Sequence, residues 1–184
     1  MSGSHAHIDP SNKKIALLIA VLALALALSE TLGKSAQTNA LGYNIEATNL
    51  WAFFQAKTIR QTTMRTAAEQ LEAQFAGEAP APVKLQVQKW KDTAERYQSE
   101  PETQEGRKEL AARAKAAEKK RDLSLAAYHH YELASAAMQI AIVLASAEII
   151  TGVVALVWIA ARLGTLGIVF GVIGFWFPTA VRLF

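Results

Sequence analysis

The chain has 184 residues, 52% of them hydrophobic, with 19 Lys and Arg against 16 Asp and Glu and no cysteine. That length suits roughly one domain, and the missing cysteine excludes a disulfide framework and any Cys-ligated metal. The near balance of charge leaves no basic cluster on one face, so nucleic acid is not an expected partner.

The charge is unevenly placed. Gly33–Ala137 holds 15 of the Lys and Arg and 13 of the Asp and Glu, while Ile15–Leu28 has no polar residue. The chain therefore reads as a membrane protein with one charged domain. Residues 1–14 form a polar tail carrying His5, His7, Lys13 and Lys14. A transmembrane helix needs about 20 mostly apolar residues, and residues 15–33 supply the first. Lys13 and Lys14 could instead open a signal peptide. Thr38-Asn39-Ala40 is only a weak cleavage site, so an uncleaved span is expected.

Residues 34–137 predict a helical stalk. No proline lies between Ser11 and Pro80, so the first helix can run to about Phe75. Tyr43, Ala47, Leu50, Phe54, Lys57, Gln61, Met64, Ala68, Leu71 and Phe75 follow a 4-3 alternation, a coiled-coil-like stripe. Gly77–Pro82 breaks the helix, and a shorter helix is expected over Val83–Ser99. Pro101 then opens the next one, since proline is tolerated in a first turn, with Gly106 its only early weak point. That helix can pass directly into the second span, residues 138–161. Arg162 then lies in a tight turn before residues 163–184, which span fully or re-enter. The fold class is all-α: three transmembrane or re-entrant helices with a long antiparallel helical hairpin outside the membrane.

Three small-residue stripes read as packing seams. They are Ala16, Ala20, Ala23, Ala27, Glu30; then Ala141, Ala145, Glu148, Gly152, Ala155; then Gly164, Gly167, Gly171, Gly174. The glycines are the most telling, because glycine weakens a helix unless close approach compensates. Glu30 and Glu148 both fall roughly 20 Å from the same membrane face at 1.5 Å per residue. Antiparallel packing would bring them level as one intramembrane polar or ion site, either sharing a proton or holding a cation. The plainer alternative keeps Glu30 at the headgroups and Glu148 neutral and hydrogen-bonded. That register predicts Trp51 opposite Ala127 and Tyr128, and Lys57 opposite Asp122.

Other chemistry is thin. His129 and Glu132 have the i, i+3 spacing that can ligate metal in a bundle, but one pair is ordinarily a solvated face, so no metal is expected. Walker A, GxGxxG, HExxH and GxSxG motifs are missing. No cofactor, catalytic residue or enzymatic activity is expected.

The block Asn49-Leu-Trp-Ala-Phe-Phe-Gln-Ala-Lys-Thr-Ile-Arg60 and the segment Gln139–Ser146 resemble the signatures of an uncharacterised bacterial membrane family, the domain of unknown function DUF4337. Trp51, Phe54, Gln55, Ala56, Lys57 and Arg60 carry the first match, with Phe54 where the family commonly has tyrosine. The resemblance implies a bacterial inner-membrane protein and brings no activity with it. The expectation is a non-enzymatic multi-pass scaffold: a homo-oligomer in the lipid bilayer, with the stalk more readily periplasmic by the positive-inside rule. An unidentified membrane or periplasmic protein would be its partner. The alternative is an oligomeric ion- or proton-conducting channel using Glu30 and Glu148.

Overall fold

A computed structural model of the chain describes residues 10–75 and 78–180. It is all-helical, with α1 Pro10–Phe75, α2 Ala81–Gln98, α3 Arg107–Thr151 and α4 Ala155–Trp176, and no strand among the described residues. Three of these helices, α1, α3 and α4, are long and apolar enough to cross a membrane. His5, His7 and Arg182 lie outside the described residues.

The helix ends follow local chemistry. Beyond its first residue α1 contains no proline, so nothing removes an i→i−4 donor before Phe75. Pro80 precedes α2 in an extended conformation, and Pro82 sits in its first turn.

Two expected boundaries are corrected. Residues 101–104 form a turn, and α3 begins at Arg107, not Pro101. Gln104 has φ 58°, and the chain closes so tightly over Gly106 that a Cβ there would meet Glu109, the Glu100 nitrogen and, at 2.7 Å, the Ser99 Cα. The first α3 bond runs from the Leu110 N–H to the Gly106 carbonyl at 2.8 Å.

The turn between the last two helices lies at residues 152–154, about ten residues before Arg162, which sits inside α4. Gly152 has φ +70° and donates its N–H to the Glu148 carbonyl at 2.7 Å. That is a glycine ending a helix in the left-handed region, so Gly152 stops α3 and does not extend its seam.

The chain forms two compact units. The first contains α1 up to Ala40, α3 from Asp122 onward, and α4. Its core is Ile15, Leu22, Ala141, Ala145 and Ala160, with Leu18, Ile19, Val157 and Leu163 packed against it. The expected α1 stripe is corrected here. Ala16, Ala20, Ala23, Ala27 and Glu30 are exposed, and Ile15, Leu22, Ser29, Gly33, Ala36 and Ala40 face inward. The reason is steric. Small residues on α3 and α4 leave space, and α1 fills it with the large side chain of Leu22.

The α4 glycines sit at these contacts. A Cβ at Gly164 would strike Leu22. One at Gly167 would fall 2.9 Å from both the Ala134 carbonyl and Met138 Cγ. One at Gly174 would fall 2.9 Å from His130 Cβ, and one at Gly171 would sit 3.6 Å from Ser29 Oγ.

The second unit, Leu41–Arg121, packs the rest of α1 with α2 and the start of α3. Leu50, Leu110 and Ala114 form its core beside Trp51 and Phe54. All ten residues of the Tyr43–Phe75 alternation are buried or half-buried. Away from that stripe on α1, Thr48, Thr58 and Thr63 bond the carbonyl four residues back.

Candidate functional site

The second unit concentrates its polar chemistry around Lys57 and Gln61. Both are buried, and both occupy inward positions of the α1 alternation. The Lys57 ammonium lies 3.6 Å from Glu100 and 3.8 Å from Glu105, and over the rings of Phe53 and Tyr97 at 5.4 and 5.2 Å. A buried ammonium needs such compensation, because removing a charge from water is costly unless it is paired.

One turn on, the Gln61 amide donates to the Ala94 carbonyl at 2.9 Å and to Gln98 Oε1 at 3.2 Å, while its oxygen accepts from Arg107 Nη1. Arg107 also donates to Gln98 Oε1 at 3.0 Å and stacks over Phe54 at 5.0 Å. Gln61 is thus a pin through three helices.

Beside it, the Glu109 carboxylate accepts from the Ser99 hydroxyl at 2.7 Å and the Glu100 N–H at 3.2 Å. The Ser99 bond is the main reason its pKa is lowered. Trp51 donates to Glu118 at 2.8 Å and packs edge-on to Phe54.

The block Asn49–Arg60 is therefore split by face. Trp51, Phe54 and Lys57 turn inward and build this clamp, while Gln55 and Arg60 are exposed. Lys57 meets Glu100 and Glu105 in place of the expected Asp122, and Trp51 meets Glu118 in place of Ala127 and Tyr128.

Register is corrected in the first unit too. Glu30 accepts a hydrogen bond from Gln139 at 3.1 Å, so Gln139, and not Glu148, stands opposite it. Nine residues of α3 separate the two, about 13 Å at 1.5 Å per residue. Glu30 is exposed, whereas Glu148 is 8% exposed with its Oε2 buried and without a hydrogen-bond partner among the described residues. The two carboxylates are not brought together.

A groove of about 450 Å³ opens around Glu30, lined by Ser29, Lys34, Gln37, Tyr128, Tyr131, Glu132 and Gln139 among others. Within it Tyr128 donates to Glu132 at 3.4 Å, and His129 Nδ1, which does not line the groove, lies 3.7 Å from the same carboxylate. No cluster of three metal-ligating side chains occurs among the described residues.

Sequence reasoning missed Arg107, whose role depends on where α3 starts, and His130. His130 is fully buried, with Nε2 3.2 Å from the Pro178 carbonyl and its ring stacked on Phe170. Only its place one position beyond a half-exposed histidine hinted at that.

Comparison with known proteins gives one family. The model of the family described as "Domain of unknown function (DUF4337)" matches residues 11–177. No curated protein and no solved structure matches the chain significantly. The match covers most of the sequence, and the chain belongs to that family.

Proposed function

We propose that this member of the DUF4337 family is a non-enzymatic multi-pass protein of the bacterial inner membrane, working as a homo-oligomeric scaffold. Its charged segment Gly33–Ala137 is assigned to the periplasmic side. Lys13 and Lys14 support that sidedness by the positive-inside rule. Arg162 adds less than a turn residue would, because it lies within α4.

One observation carries the oligomer. The outer face of α1 in the second unit exposes Leu41 at 61%, Ile45 at 52% and Ile59 at 67%. With Thr48, Ala52, Gln55, Thr62 and Thr66 these residues follow a second 4-3 alternation, the pattern of a helix seam that lacks its partner. The fitting occupant is another copy of the chain. Copies anchored in one membrane run parallel, so each seam residue meets its own counterpart. Any charge in the seam would then repel itself, and none of these positions carries one. Gln55 is the polar residue that would fix register at its middle.

The chain has no cysteine, which makes the test direct. Ile45→Cys and Ile59→Cys should each form disulfide-linked dimers in isolated membranes. The double variant Ile45→Arg/Ile59→Arg should run as a monomer in light scattering from detergent. A monomeric parent protein, or no cross-link at either site, would exclude the self-paired seam. A reporter active only in the cytoplasm, fused near Pro80, should stay silent.

A second reading, an ion- or proton-conducting assembly, rests on Glu148 and its buried oxygen, which has no hydrogen-bond partner among the described residues. It requires Glu148→Gln to abolish flux through protein reconstituted in vesicles.

A further inference from the structure

We propose that the groove between α1 and α3 in the first unit is a binding site for the headgroup of a zwitterionic aminophospholipid, a phosphate and a primary ammonium on one molecule. The proposal rests on reading α1 and α3 as membrane spans. Resistance of the membrane-bound protein to alkaline extraction tests that reading independently of any lipid titration.

Position comes first. The groove begins at Ser29, directly after the uninterrupted apolar run Ile15–Leu28, and ends at Gln139, where the apolar part of α3 begins. It therefore lies at the edge of the apolar belt, where headgroups lie and where Tyr side chains collect. Its volume of about 450 Å³ falls within the usual range of small-molecule sites.

The charges then select the ligand. Each carboxylate is oriented by a neighbour within the groove: Glu30 accepts from Gln139 at 3.1 Å, and Glu132 accepts from Tyr128 at 3.4 Å. Both keep lone pairs for an ammonium donor. The Lys34 ammonium has no such counterpart, since no carboxylate among the described residues forms an ion pair with it. A groove holding two oriented carboxylates and one uncommitted cation matches a ligand carrying both signs. Phosphate would sit on Lys34, and the ammonium would sit between Glu30 and Glu132.

The surface beyond continues the match. One turn past Gln139, Val143 is 65% exposed, and one turn past Ala136 lies exposed Ile140. On α1, Leu28 and Leu32 are exposed beside the groove residues Ser29 and Gly33. Acyl chains extending from the headgroup would run along these side chains.

The experiment is a thermal-shift titration of the full chain in detergent with short-chain phosphatidylethanolamine, phosphatidylcholine and phosphatidylglycerol. The ethanolamine lipid should stabilise saturably. The choline lipid, whose ammonium has no N–H to donate, and the glycerol lipid, which has no ammonium, should bind at least about tenfold more weakly. That factor is what one lost charge-assisted hydrogen bond predicts. Lys34→Ala and Glu30→Gln should each weaken the ethanolamine lipid about tenfold, and Lys34→Arg should retain it. Both positions are exposed, so the fold should tolerate the changes. Soluble phosphoethanolamine carries the same charges without acyl chains and should bind far more weakly. Equal binding of all three lipids, an undiminished response in Lys34→Ala, or equal affinity for soluble phosphoethanolamine would each overturn the assignment.

Discussion

Gln61→Leu removes the pin that joins α1, α2 and α3 without changing side-chain bulk greatly. Gln61 is 2% exposed and makes three hydrogen bonds. Two are between neutral groups, each contributing about 1 kcal/mol, and the bond from Arg107 contributes about 1.5–3 kcal/mol. Arg107 keeps Gln98 as an acceptor at 3.0 Å, which holds that term at its lower end. Burial of the leucine side chain returns about 1 kcal/mol. The net loss is about 2–3 kcal/mol, or a fall in Tm of roughly 4–12 °C for a chain of this length. The assay is a thermal melt in detergent followed by tryptophan fluorescence, with Trp51 and Trp90 reporting from the same unit. Arg107→Leu alone and the double variant complete a cycle, whose coupling should exceed about 1 kcal/mol because the two side chains touch. A loss below about 0.5 kcal/mol for Gln61→Leu, the range of an inert surface change, would refute the pin.

Three further outcomes follow from the same geometry. Gly167→Ala should destabilise, because its Cβ would press on the Ala134 carbonyl, while Gly171→Ala should be neutral or stabilising by up to about 1 kcal/mol; paired thermal melts decide it. Trp51→Phe should cost about 1 kcal/mol through loss of the bond to Glu118, and adding Glu118→Gln to both the parent chain and the Trp51→Phe variant should narrow the difference between them. The lowered Glu109 pKa means that its ionised form contributes stability above its unfolded pKa, and that this is lost as pH falls through the folded value. Ser99→Ala or Glu109→Gln should therefore lose stability at neutral pH and show a shallower acid limb in melts taken across pH.

The inward face of α1 is legible because a 4-3 alternation of ten residues leaves one helical stripe to bury, even with Lys57 and Gln61 in it. Register is not. Matching Glu30 to Glu148 assumes that carboxylates seek equal depth, whereas the packing is fitted by Leu22 against small residues and by Gly33 against Tyr131. Such shape matching is invisible to residue counting. Both misplaced boundaries turn on a glycine. Gly152 stands inside a small-residue spacing that masks its helix-ending conformation, and Gly106 reads as a weak point when it marks the start of α3. The family block is legible as a unit but not in its division between a buried clamp and an outer face, because the full clamp includes Arg107 and Glu118 from a distant stretch of sequence.

The threonines of α1 carry a further implication. Because Thr48, Thr58 and Thr63 commit their hydroxyls to carbonyls one turn back, the part of each side chain left to meet its surroundings is chiefly a methyl group. Hydropathy scales score such a residue as polar, although its donor is already spent within the helix. The outer surface of α1 is thus greasier in atoms than in letters, and a solvent or neighbour that wets it should behave as it would toward alanine and valine.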